Sequence, residues 1–527
     1  MSPCGGRGHR LNPAAAKSET VCREIQPGQD GPRILFCHVA FTGFTAAMHP
    51  PDSASTFSYR PLHGLPEVAG LGSLSEMTGP GLSVAEVVDR LKRYHYALQR
   101  LWRIFLARLT AEPVYELKMA WSHHAYLCAE HITAVRDRVA EMRHPPLGLE
   151  KVPHEALKFL FDEIQAAPSA AELCAGIYLK ALPALRAGMT RHLAQTNRLA
   201  DAPTCRVLRH ALLEIDDMIA WGARAVPCLP AEGNLTGWLA LLDQSLAAAG
   251  DLDGAGACVP TALTPQFSAQ PWQYDRIPQR DARFPDPYNM GVHAEEFLYT
   301  PEFPARAKTL MMYYKRIREI DVPEMMAGIL VELPDKPWGF YRDLTRQLWD
   351  EARHAMMGEV GFVSQSIAWP EHVMVNFTWS KGLNEQLTPV ERHAVLWFIE
   401  QGLMTKTGKR YEWEVGAESG DPLARLFQDY DWADEVLHAR IGRDWYVSQF
   451  NDDTAKAAEY GSACWSKVVS GWDQWRAAGL TQHRNWWPGL YQEHCRRHGL
   501  TPDEKALAFS TTYAATRADL QRIAASG

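Results

Sequence analysis

The amino-acid sequence predicts an all-α protein, and two observations support this fold class. Apolar residues recur at helical spacing from about residue 84 onward, and apolar side chains make up 46% of the 527 residues, enough for a sizeable core. The motif E-x-x-H also occurs in two stretches with helical character, residues 350–354 (DEARH) and 434–438 (DEVLH). Residues three apart share one face of a helix, so each motif presents a carboxylate and an imidazole together.

The matched pair is more specific than a single E-x-x-H, which a chain of this length contains about once by chance. A third copy, residues 141–144, runs into Pro145 and Pro146, where a helix is expected to end, and we interpret it as a solvated helix end. The other two copies share an Asp before the Glu and an Ala after the His. They predict half or more of a di-metal site between facing helices.

Such a site needs one more Glu from each of two further helices, each preceding an E-x-x-H helix. Before His354 the candidates are Glu319, Glu324 and Glu332. Glu324 opens an apolar run and is the preferred candidate. Glu319 ranks second, because its basic neighbours favour a solvated ion pair, and Glu332 abuts a helix stop.

The second additional carboxylate is expected before His438, from Glu391 or Glu400. Thr388 and Glu391 form a capping-box pattern with Pro389 at the first helical position, which already gives Glu391 a structural role. Glu400 lies more than two turns further on in an apolar run, where an unpaired carboxylate is costly. Glu400 is therefore the better ligand candidate.

The order Glu, E-x-x-H, Glu, E-x-x-H resembles that of the ferritin-like di-iron carboxylate proteins. The local sequences of residues 337–343, 350–354, 399–403 and 432–438 also resemble those of an uncharacterised bacterial ferritin-like group. The resemblance covers roughly residues 305–450. It implies a ferritin-like four-helix bundle in which Glu351 and Glu435 bridge two metal ions and each His binds one. The implied ligands are Glu324, Glu351, His354, Glu400, Glu435 and His438.

The donor chemistry agrees with that resemblance. Carboxylates with one imidazole per metal suit two iron ions, or manganese, and no C-x-x-C or H-E-x-x-H pattern points to structural zinc or to a metalloprotease. Asp350 and Asp434 are expected to support the site, because a ligating His usually donates its other N–H to a carboxylate.

The predicted organisation has five parts. They are an extended or disordered segment (1–80), a degenerate ferritin-like bundle (84–248), a Pro- and Gly-rich linker (249–304), the di-metal bundle (305–450) and a helical extension (451–527).

The degenerate bundle is inferred from a weak repeat. Cys128 and Glu214 are 86 residues apart, close to the 84 between Glu351 and Glu435. His131 and Asp217 then take the positions of the two motif His residues, and projection of the two upstream Glu positions reaches apolar residues. The N-terminal bundle is therefore expected to be a degenerate copy of the di-metal bundle. It is expected to bind no metal and to have a structural or partner-binding role.

Charge and composition limit the class of protein. The net charge of −8 gives no electrostatic reason to expect nucleic acid or an anionic membrane as partner, and no apolar run reaches the roughly 18 residues of a spanning helix. The ten Cys form no framework, which favours the reduced cytoplasm. A homodimer is a further possibility that the sequence does not decide.

The expected function is that of an oxygen-dependent oxidase or oxygenase acting on dioxygen and an unknown small organic substrate, with the electron donor left open. Tyr341, Trp349 and Trp397 are weaker candidates for redox or cavity residues. The alternative is a non-catalytic metal-binding, structural or partner-binding protein. Iron storage is less favoured, since storage cages use small protomers.

Overall fold

Helices form the architecture of the described chain. The computed structural model describes residues 59–230, 234–404, 408–480 and 483–512, and these contain no β-strand, which confirms the all-α prediction. The helices in chain order are α1 (Leu74–Met77), α2 (Val84–Leu109), α3 (Tyr115–Met142), α4 (Glu155–Gln165), α5 (Ala170–Ala175), α6 (Leu182–Gln195), α7 (Ala202–Ala225), α8 (Leu235–Ala248), α9 (Ala294–Tyr299), α10 (Ala305–Arg318), α11 (Asp321–Glu332), α12 (Trp338–Ser364), α13 (Trp369–His372), α14 (Thr378–Gln386), α15 (Pro389–Leu403), α16 (Lys409–Glu418), α17 (Pro422–Trp445), α18 (Thr454–Ala477), α19 (Trp487–His498) and α20 (Glu504–Leu507).

The N-terminal prediction falls mostly outside the described residues. Residues 1–58 of the expected extended segment are not among them, and residues 59–80 contain α1 and two short 3-10 helices, Leu62–Gly64 and Glu67–Gly70. The chain divides into a unit that ends at Leu65 and a unit from Pro66 onward. All helices discussed below belong to the second unit. None of the described helices is long and apolar enough to cross a membrane.

Local sequence signals explain where the long helices begin. Ser83 and Glu86 form a capping box at the start of α2. Thr388 and Glu391 form another at α15, with Pro389 in the first turn, so the structural role predicted for Glu391 is confirmed.

The helices that precede and follow the linker share one hydrophobic core. α3 packs against both α2 and α12, and α2 also packs against α11. Trp102 of α2 donates a hydrogen bond from Nε1 to Thr345 Oγ1 of α12 over 3.0 Å, and both groups are buried. The E-x-x-H helix α12 is therefore supported by residues from the N-terminal half of the chain.

Four helical segments surround the E-x-x-H motifs. The successive helices α10 and α11 pack against α12, α12 packs against α17, and α15 packs against α11 and α17. α18, from the C-terminal extension, covers α15. The two E-x-x-H helices thus contact each other directly, as the motif spacing requires.

A glycine allows α10 to approach α12 closely. A Cβ atom on Gly358 would lie 2.3 Å from the backbone N of Ile317 and 2.5 Å from the backbone O of Tyr313. Any side chain at residue 358 would therefore push the two backbones apart. The close approach matters because the end of α10 carries Arg316 and Glu319 toward the motifs.

The linker is held onto the helices by buried polar groups. Both Glu163 carboxylate oxygens accept hydrogen bonds from backbone N–H groups of residues 266–268, and Trp238 Nε1 adds another over 3.0 Å. Further along the linker, the Arg280 side chain is fully buried against α11. Because buried backbone donors need acceptors, these contacts fix the path of the linker.

Candidate metal centre

Four buried residues from three helices form the first cluster, which we call the four-donor group. The group consists of Glu351 from α12, Glu400 from α15, and Glu435 and His438 from α17. One possible metal-binding atom from each residue lies within 4.8 Å of those from the other three. His438 Nδ1 lies 3.1 Å from Glu351 Oε1 and 3.7 Å from Glu435 Oε2. The structure therefore brings together four of the six residues predicted as ligands.

A second cluster, the three-donor group, adjoins the first and consists of Glu319, His354 and Asp431. His354 Nδ1 lies 3.3 Å from Glu319 Oε2 and 3.5 Å from Asp431 Oδ1. It is also 3.7 Å from Glu351 Oε2. Glu351 thus has one oxygen near each imidazole and is the carboxylate that reaches both groups.

Glu324, the preferred ligand candidate from the sequence, belongs to neither group. Its carboxylate is fully buried but accepts hydrogen bonds from Lys118 Nζ over 2.8 Å, from Arg280 Nη2 over 3.0 Å and from Ser380 Oγ over 2.7 Å. These partners already compensate its charge. The structure therefore brings Glu319, which ranked second, into the three-donor group and leaves Glu324 outside both groups.

The atoms that face the centre lack other partners within the described protein. Six buried atoms that could bind a metal ion make no hydrogen bond: Glu319 Oε2, Glu351 Oε1, His354 Nδ1, Glu400 Oε2, Glu435 Oε2 and His438 Nδ1. Buried polar atoms are normally paired, and their convergence leaves a gap that a cation would fill. Their chemistry, carboxylate oxygen and imidazole nitrogen, fits iron or manganese.

Each imidazole is oriented by the Asp of the opposite motif. His354 Nε2 lies 3.2 Å from Asp434 Oδ2, and His438 Nε2 lies 3.4 Å from Asp350 Oδ2. If Nε2 carries the proton, Nδ1 keeps its lone pair directed at the centre. The sequence had named both Asp residues for this supporting role.

Three charged residues at the centre were not found from the sequence. Asp431 precedes Glu435 by one helical turn and so shares its face of α17, a spacing that was open to recognition. Arg316 hydrogen-bonds Asp431, and Lys409 Nζ lies 2.9 Å from Asp431 and 2.9 Å from Glu435. No local pattern marks Arg316 or Lys409 as buried.

Negative charge is concentrated around Glu400. Burial, together with the neighbouring carboxylates Glu435 and Glu351, raises the pKa of Glu400 well above its ordinary value. Its Oε1 accepts a hydrogen bond from Gln347 Nε2 over 3.2 Å, and its Oε2 faces the centre. A bound cation would remove this repulsion and keep Glu400 ionised.

A cavity of about 420 Å³ opens onto the carboxylates of both groups. Its charged and polar lining consists of Glu319, Glu351, Glu400, Glu435, Glu295, Tyr299, Lys315, Arg316, Arg318 and Asp321. The apolar wall consists of Val322, Met325, Trp379, Leu383, Val395, Leu396 and Ile399. An apolar wall that faces converging polar groups is a feature of small-molecule sites, although this cavity has more charged residues than most such sites.

The aromatic residues proposed from the sequence lie outside that cavity lining. The Tyr341 hydroxyl donates to the Leu333 carbonyl, and Trp349 stacks on His123 with ring centroids 4.5 Å apart. Trp397 is buried beside Tyr446. Each has a packing role in the structure.

The N-terminal half contains a different arrangement at the positions predicted to match the motifs. His131 Nε2 lies 2.7 Å from Glu214 Oε2, joining α3 to α7, and Cys128 is fully buried. Of the apolar residues projected onto the missing Glu positions, Leu101 is buried and Leu179 is exposed. Both donor groups detected among the described residues lie within residues 319–438.

Comparisons with protein-family models, with curated proteins and with solved structures found no match to this chain. The assignment of function therefore depends on the residues of the site.

Proposed function

We propose that this protein is a di-iron carboxylate oxidoreductase that uses dioxygen to oxidise a small, largely apolar organic molecule. The main support for the proposal is that two groups of carboxylates and imidazoles, whose facing atoms make no hydrogen bond, meet at a cavity with an apolar wall. A pair of ferrous ions bound there would supply electrons for the reduction of dioxygen.

The proposed fold is a ferritin-like four-helix bundle made by α10 with α11, α12, α15 and α17. Two of these segments carry E-x-x-H motifs, and the other two contribute Glu319 and Glu400, which matches the donor arrangement of that fold. The N-terminal helices would be a second, degenerate bundle. The contact of His131 with Glu214 at the expected positions supports this duplication.

The chain's own residues have distinct tasks in this proposal. Glu351 would link the two ions, and Asp350 and Asp434 would keep the imidazoles in the metal-binding orientation. The apolar wall would exclude water and hold the substrate beside the open side of the centre.

Oxygen uptake tests the proposal. Anaerobically purified protein is supplied with ferrous iron and a reductant, and oxygen consumption is followed for the natural chain, Glu435→Ala and Glu214→Ala. We expect uptake by the natural chain and by Glu214→Ala, and loss of uptake in Glu435→Ala. If iron-loaded natural protein consumes no more oxygen than Glu435→Ala, the protein is not an oxidase of this kind, and the alternative of a non-catalytic metal-binding protein is favoured.

A further inference from the structure

The two donor groups differ in the cationic side chains that contact them. In the three-donor group, Arg316 contacts both Glu319, over 2.9 Å, and Asp431. In the four-donor group, neither Glu351 nor Glu400 has a Lys or Arg partner among the described residues. Arg316 thus compensates part of the charge of the three-donor group, whereas in the four-donor group Glu435 alone has a Lys or Arg partner among the described residues, namely Lys409.

Lys409 lies between the two groups. Its Nζ is 2.9 Å from each carboxylate oxygen of Asp431 and 2.9 Å from Glu435 Oε1, and the side chain is 1% exposed. An ammonium group has three donors, and here each is matched by a carboxylate oxygen. Lys409 therefore supplies one positive charge at the junction where a second ion would bind.

This contact also limits what Glu435 does. Its Oε1 is held by Lys409, while its Oε2 faces the four-donor group without a hydrogen bond. As long as Lys409 stays in place, Oε2 is the only oxygen of Glu435 that a metal ion could bind without competition from the ammonium group. Glu351, in contrast, presents Oε1 toward His438 and Oε2 toward His354.

We propose that Lys409 is an internal counter-cation that makes the two metal positions unequal. One divalent ion binds tightly in the four-donor group. The second ion binds more weakly at the three-donor group, because it has to displace the Lys409 ammonium from Asp431 and Glu435. The centre would then hold one resident ion and one exchangeable ion. This inference rests on the proposed function, since both require metal binding.

A manganese titration tests the inference without use of enzyme activity. Free Mn²⁺ is counted by electron paramagnetic resonance while Mn²⁺ is added to metal-free protein, and thermal unfolding by circular dichroism checks that each variant is folded. The variants are Lys409→Met and, as matched control, Lys118→Met. Lys118 is also a fully buried lysine paired with a glutamate, and its partner Glu324 retains Arg280, just as Asp431 retains Arg316.

For the natural chain we expect two binding steps, with the second about tenfold or more weaker than the first, a difference of about 1.4 kcal/mol or more. Lys409→Met should tighten the second step and reduce this ratio, whereas Lys118→Met should leave the ratio unchanged.

Two equal steps in the natural chain would overturn the inference, even if Lys409→Met does not fold. An unchanged ratio in Lys409→Met, or loss of both ions from it, would also overturn the inference. In each of these cases the natural chain still binds metal, so the proposed function survives. If the natural chain binds neither Mn²⁺ nor Fe²⁺, both are wrong.

Discussion

The carboxylates near the centre differ in how their charge is compensated, and this difference assigns their roles. Glu324 is buried with Lys118 and Arg280, so its charge is balanced by protein. Glu319 and Glu400 each direct an oxygen without a hydrogen bond at the centre. Burial alone therefore does not identify a metal ligand, and a buried oxygen without a hydrogen bond is the better criterion.

The roles of Glu319 and Glu324 are separable by substitution. We expect Glu319→Gln to lower the bound metal from about two ions per chain to about one, with little change in the stability of metal-free protein. We expect Glu324→Ala to destabilise the protein by about 3–5 kcal/mol, because it removes one partner of a buried ion pair, and to leave the metal count unchanged. Elemental analysis and urea unfolding measure the two quantities. Loss of metal from Glu324→Ala, with an unchanged metal count in Glu319→Gln, would show that Glu324 is the ligand.

The two supporting Asp residues form a matched pair for a second prediction. Asp350→Asn and Asp434→Asn keep the shape of the side chain but remove the charge that orients His438 and His354. Each substitution should weaken metal binding about 10- to 100-fold. Asp350→Asn should act on the tighter step of a Mn²⁺ titration and Asp434→Asn on the weaker step. Equal effects of both on one step would show that the His residues do not serve separate positions.

At the scale of elements, the position of α10 decides whether the three-donor group forms. Glu319 lies just after this helix, between α10 and α11, and reaches His354 because Gly358 lets α10 approach α12. A methyl group there would overlap backbone atoms of α10, which cannot move as easily as the end of a side chain.

Gly358→Ala should therefore displace α10, lower the free energy of unfolding by about 1–3 kcal/mol and reduce metal binding at the three-donor group. Gly489→Ala is the control, since no atom lies within 4 Å of its added Cβ and alanine favours a helix. Chemical unfolding and a Mn²⁺ titration provide the measurements. Unchanged second-step affinity in a folded Gly358→Ala would contradict this role for α10.

Helices and motifs were predictable from the sequence because their signals are local. The capping box of α15 and the i, i+3 spacing of both motifs depend only on near neighbours. The contacts that distinguish Glu319 from Glu324 are not local in the sequence. Glu324 is compensated by Lys118, 206 residues away, and by Arg280 in the linker, and neither contact has a sequence pattern.

The same limit applies to Lys315 and Arg316. As basic neighbours of Glu319 they suggested a solvated surface, yet Arg316 is buried against Asp431 and Lys315 is partly buried against Glu412. A cluster of charged residues has the same appearance in sequence whether it faces solvent or a buried set of opposite charges. Only the tertiary packing distinguishes the two cases.

At the scale of the whole molecule, the described part of the N-terminal half packs against the helices of the centre and contributes no donor to either group. α3 packs directly on α12, and its His131 pairs with Glu214 of α7. Glu214→Ala should consequently leave the metal count unchanged, whereas Glu435→Ala should abolish most of it. Elemental analysis of both variants distinguishes these outcomes, and loss of metal from Glu214→Ala would contradict a degenerate, metal-free first half.

A count of bound iron is the decisive measurement for the proposed di-iron centre. Protein purified without oxygen is equilibrated with excess ferrous iron, its bound iron is measured by elemental analysis, and its near-ultraviolet absorption is followed after exposure to air. We predict about two irons per chain and a new oxo-to-iron absorption band, both absent from Glu435→Ala. Natural protein that binds no iron, or binds as much as Glu435→Ala, would contradict the account.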